Sequence, residues 1–116
     1  MPTFHDPTAD SREAYEAIRG LAHATIFIEQ PHEAYGVILE LLGGVRSLQQ
    51  VFDQLAAMHE RHQGRAFTAA GDQLAGMVDA FTAADRLHET AAIIRRAESL
   101  LDAAAQAAGR IAWHPA

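Results

Sequence analysis

The sequence predicts an all-α fold, an antiparallel helical bundle with a short first helix and a long helical hairpin. Three observations predict it. Apolar residues recur at alternating spacings of four and three along most of the chain, the period of an amphipathic helix. Alanine, the strongest helix former, supplies 25 of the 116 residues. Pro31 and Gly64 stand where helices would have to begin or end.

Residues 1–9 hold two prolines and no apolar period, and read as a flexible N-terminal arm. Asp10 or Ser11 can cap the first helix, with Glu13 in its acid-favoured first turn. Ala14, Ile18, Leu21, Thr25 and Ile28 then form its stripe, and Pro31 ends it. Pro31 equally suits the first turn of a second helix, where its missing N–H would have no intrahelical partner.

The second stripe runs Ala34, Ile38, Leu41, Val45, Leu48, Phe52, Leu55, His59, His62 without a slip. Gly43 and Gly44 interrupt it, and two interior glycines cost about 1 kcal/mol each relative to alanine. A loop has no reason to preserve phase across itself. One helix of roughly 48 Å is therefore expected from about Pro31 to His62, with the glycines permitting close approach of a neighbouring helix.

Gln63-Gly64-Arg65 reads as the reversal, with Gly64 in the left-handed C-cap conformation. Phe67, Ala70, Leu74, Met77, Phe81 and Ala84 form a further series. It joins Leu87, Ala91, Ile94, Leu101, Ala105, Ala108 and Ala112 only after losing one residue near Ala84. Such a slip means a continuous, locally overwound helix or a break near Asp85. The expected core includes Phe52, Leu55, Leu74, Phe81, Leu87 and Ile94. One domain spans 10–113, and 114–116 form a tail.

Composition narrows the function classes. The absence of cysteine excludes thiol catalysis, disulfides, iron–sulfur clusters and cysteine-ligated zinc. A net charge of −6 argues against broad nucleic-acid binding, which needs a basic face. No apolar run approaches the length of a membrane span, and the N-terminus lacks a basic start followed by an apolar stretch, so a cytoplasmic protein with no membrane partner is expected. Nucleophile elbow, phosphate loop, metalloprotease helix and dinucleotide fingerprint are all missing, and no catalytic residue or cofactor is expected.

Histidines offer the one chemical alternative. His59 and His62 share a helix face in Met58-His59-Glu60-Arg61-His62, the spacing at which paired imidazoles ligate a metal. At a helix C-terminus the same residues also suit the dipole and the unpaired carbonyls. Asp85 and His88 have the carboxylate–histidine spacing of half a di-metal bundle site, as do Glu29 and His32, but Pro31 spoils the second pair. A histidine and carboxylate metal-binding bundle is thus the alternative to an interaction protein, with His59, His62 and His88 as its candidate ligands.

Trp113, the only tryptophan, follows an alanine-rich segment and can fold back on the bundle or anchor a partner. Gly20-Leu21-Ala22-His23-Ala24-Thr25, Leu41-Leu42-Gly43-Gly44-Val45-Arg46-Ser47-Leu48 and Gly109-Arg110-Ile111-Ala112-Trp113-His114-Pro115 resemble segments of small helical proteins from actinobacterial plasmids and mobile elements. That resemblance implies an accessory protein of a mobile element and carries no activity with it.

The second and third helices are longer than a first helix of roughly 27 Å can cover, so apolar stripe is left over. The expectation is a non-enzymatic helical interaction protein forming a homodimer, or meeting an unidentified protein partner, with Trp113, Ala104 and Ala108 near the contact.

Overall fold

A computed structural model describes residues 1–115. It is all-helical, in the order α1 (Pro7–Ala24), α2 (Glu33–Arg61), the short 3-10 turn Gln63–Arg65, and α3 (Gln73–Gly109), with no strand among the described residues. Contacts divide the chain into two compact units, Met1–Ala34 and Tyr35–Ala116.

In the first unit α1 starts earlier than the sequence suggests. The Asp6 carboxylate accepts from the Ala9 amide at 3.1 Å and Pro7 takes the first helical position, the place expected for Pro31, which instead lies in the turn two residues before α2. The expected arm is therefore shorter than residues 1–9, and its remainder is tied down. Asp10 accepts from the Thr3 amide at 2.7 Å, the Thr3 hydroxyl at 3.1 Å and the Phe4 amide at 3.1 Å. The Thr3 amide first, then its hydroxyl and the Phe4 amide, hold the Asp10 carboxyl below the usual carboxylate range. The helix also ends earlier, well before Pro31. The Thr25 hydroxyl donates back to Leu21 O at 3.0 Å and the Ile26 amide turns tightly onto His23 O, so the β-branched run after Ala24 leaves the helix.

In the second unit α2 runs unbroken through Gly43 and Gly44, as the preserved phase predicts. A Cβ at either glycine would meet nothing within 4 Å, so neither lies against another helix of the same chain. The close approach is at Gly76 instead. A Cβ there would stand 2.4 Å from Ala66 O, because the reversal lies directly on the first turn of α3.

That reversal is built from hydrogen bonds. Thr68 and Asp72 bond each other through the Thr68 amide at 3.0 Å and the Asp72 amide at 3.1 Å, and the Asp72 carboxylate caps α3 at the Ala75 amide. Gly71 takes the left-handed conformation, φ 89°, which replaces the expectation for Gly64. Phe67 and Ala70 consequently lie in the loop rather than on a helix.

α3 is continuous past Asp85. The expected phase slip disappears because the shielded positions are Met77, Ala80, Ala84, Leu87, Ala91 and Ile94, a regular three–four series. Following the large side chains leads off it: Leu74 is 73% exposed, Phe81 46% and Leu55 40%, so these three are not core residues. Phe52, Leu87 and Ile94 are half-buried. Leu42, Ala56, Ala84, Ala91 and Ala105 are the buried apolar residues, with Gly76 beside them. An interior of alanines lets two helices pack at the short end of the roughly 8–10 Å range of axial separations. At the open end of the hairpin the Tyr35 ring covers Gly109, where a Cβ would lie 3.0 Å from it.

Candidate functional site

The hairpin has two unlike sides, and the reason is helical geometry. In an antiparallel pair, reversing one helix also reverses the direction in which its seam faces. Residues that follow a seam position on either helix therefore share one side, and residues that precede one share the other.

The following side carries the charges, with Leu39, Val78 and Phe81 as its exposed apolar residues. Asp53 and Glu60 follow the seam residues Phe52 and His59 of α2, and His88 follows Leu87 of α3. His88 sits between them, Nδ1 3.3 Å from Asp53 Oδ1 and Nε2 2.8 Å from Glu60 Oε1. Carboxylates only accept, so both ring nitrogens must donate, and that requires the imidazolium. The Glu60 bond first, then the Asp53 bond, push the His88 pKa upward against a smaller desolvation effect. The group is half exposed, and its action is to tie α2 to α3 when protonated.

Further along the same side Arg46 Nε donates to Glu98 at 2.6 Å. The Gln49 amide, with its oxygen turned toward Arg95, accepts from that guanidinium at 3.0 and 3.1 Å. Within α3, Arg86 pairs with Glu89 at 2.7 Å.

His59 and His62 lie elsewhere, at the hairpin tip. There Met58, His59, His62, Arg65, Ala66 and Ala80 line an open cavity of about 340 Å³. His59 Nδ1 is 2.7 Å from Leu55 O, one turn back on its own helix. Neither joins His88, both of whose nitrogens face carboxylates. Among the described residues no three histidine, aspartate or glutamate side chains gather as a metal set.

The preceding side is apolar. It carries Leu41, Leu48, Val51 and Leu55 from α2, and Ile93 and Leu100 from α3, all exposed. Ala104 lies on this side, whereas Ala108 occupies the seam itself. Trp113 follows the end of α3 and is exposed. No helix among the described residues is long and apolar enough to cross a membrane.

Sequence reasoning did not single out Asp53 or Glu60. Their seven-residue spacing is one heptad, which places both on one line of α2, and that was the available signal. Comparison with protein-family models, with curated proteins and with solved structures gives no match.

Proposed function

We propose that the protein is a non-enzymatic helical interaction module that acts by self-association, as a homodimer. One observation carries the reading: the hairpin buries alanines and leaves its large aliphatic side chains outside. Leu42 is the only buried apolar residue larger than alanine among the described residues, while Leu41, Leu48, Val51, Leu55, Ile93 and Leu100 are 37–71% exposed. Their mean exposure is about half, equivalent to three whole side chains per copy, each contributing about 1.5–3 kcal/mol when buried. Two copies then gain about 9–18 kcal/mol in gross terms, against an association cost of about 4–15 kcal/mol. Those ranges allow a stable pair. A cytoplasmic setting and an accessory role on a mobile element are part of the proposal, the second supported by the sequence resemblance alone.

Sedimentation of the full chain across a concentration series tests the reading. The expected species at micromolar concentration has twice the 12.6 kDa chain mass. A 12.6 kDa species at every concentration overturns it.

A further inference from the structure

We infer that the face formed by Leu41, Leu48, Val51 and Leu55 with Ile93 and Leu100 docks onto the same face of a second copy, closing two hairpins into a four-helix core. The inference rests on the self-association reading and adds to it which surface is used and what occupies it.

Area identifies the occupant. The uncharged stretches of this side, 37–58 on α2 and 90–107 on α3, are about 33 and 27 Å long, and two helices side by side offer a strip about 18–20 Å wide. The strip covers about 550–600 Å² per copy, and two such strips face to face bury about 1,100–1,200 Å², above the roughly 1,000 Å² that a specific interface needs.

Charge points the same way. From Val37 to Met58 the preceding positions of α2 are Val37, Leu41, Gly44, Leu48, Val51, Leu55 and Met58, without one charge. On α3 the stretch from Thr90 to Ala107 is likewise uncharged on this side. An acidic or basic partner would find nothing to pair with. An anionic membrane surface would meet a chain of net charge −6, and the nearest cation on this side of α3, Arg86, is already paired with Glu89. A second copy brings the one surface known to be equally long, equally apolar and equally uncharged.

Shape is compatible as well. Gly44 alternates with leucines on α2, and Ala97 and Ala104 with Ile93 and Leu100 on α3, so each strip has both projections and hollows. A two-fold axis sets the projections of one copy into the hollows of the other. The side carrying His88, Asp53, Glu60, Arg46 and Arg95 then faces outward, where its charges stay hydrated.

The chain lacks cysteine, which makes single-thiol labelling clean. Leu48→Cys places a thiol on the apolar side and Gln50→Cys places one about 200° away on the polar side. Each full-length variant is treated with a maleimide at nanomolar and at micromolar protein, and its mass is measured at both concentrations. The expected result is at least tenfold slower labelling of L48C at the concentration where the mass doubles, with Q50C unchanged. Mass doubling with Q50C protected and L48C freely reactive overturns the docking face and leaves self-association standing. A single-chain mass throughout removes both. If L48C itself weakens pairing, Ala97→Cys on α3 of the same side supplies the second reading, with the same protection expected.

Discussion

Replacing Gly76 with alanine tests how the hairpin is closed. The added Cβ would lie 2.4 Å from Ala66 O, 2.5 Å from Ala66 C and 2.5 Å from Phe67 Cα. All three are backbone atoms, so no flexible side chain can swing aside. The reversal must move by about 1 Å or more to restore ordinary contact, straining the bond of Gln73 Nε2 to Gly64 O. Overpacking of this kind costs about 1–3 kcal/mol, occasionally more. Alanine's better helix propensity offsets up to about 1 kcal/mol. Near the N-terminus of α3 that offset is smaller than in a helix centre, so a net loss of about 1–3 kcal/mol is expected. For a chain of this size that is a melting temperature lower by about 4–12 °C. Thermal unfolding followed by circular dichroism at fixed protein concentration reads it. A variant that melts at or above wild type would refute the placement of the reversal on α3.

The opposite sign is expected at Gly43→Ala, where the Cβ enters open space and a helix interior exchanges glycine for alanine: a gain of about 0.5–1 kcal/mol in the same melting assay. Leu42→Ala removes the one large buried aliphatic side chain among the described residues and should cost about 2–3 kcal/mol in urea unfolding, with the slope unchanged. His88 contributes through a raised pKa, so its stabilisation is fully present below the ordinary histidine pKa of about 6.5 and is lost as pH rises through the raised value. Melting curves from pH 5.5 to 9 should therefore show wild type losing its advantage over His88→Gln toward the alkaline end; a difference that grows with pH contradicts the Glu60 and Asp53 bonds.

Much of this fold could be read from the sequence, and the misreadings share a cause. Continuity of α2 across Gly43 and Gly44 follows from stripe phase, because only a helix keeps it. The same rule misplaced part of the seam on both helices, since Leu41, Leu48 and Leu55 on α2 and Leu74 and Phe81 on α3 are larger than Ala56, Gly76 and Ala80 yet more exposed. Large apolar residues mark a seam only when the helices stand far enough apart to hold them, and axial separation is not written in one helix's period. Chain ends were misjudged at Asp6–Pro7, where a cap and a first-turn proline lay inside what read as an arm. The His88 bridge joins residues 28 and 35 positions apart, so it depends on the register of the hairpin. Register is set by the length of the reversal, which Gly71 and Asp72 fix and which Gly64 did not predict.

Self-association through the hairpin requires that its apolar side meet a second copy. Light scattering of the wild-type chain and of the Leu48→Glu, Ile93→Glu double variant, at equal micromolar concentration, tests this most directly. Both residues are exposed, so the charges should leave helix content intact while placing four carboxylates inside the proposed four-helix core. The predicted result is twice 12.6 kDa for wild type and 12.6 kDa for the variant, with equal helical signal. A variant that keeps the doubled mass, or a wild type that never exceeds 12.6 kDa, contradicts it.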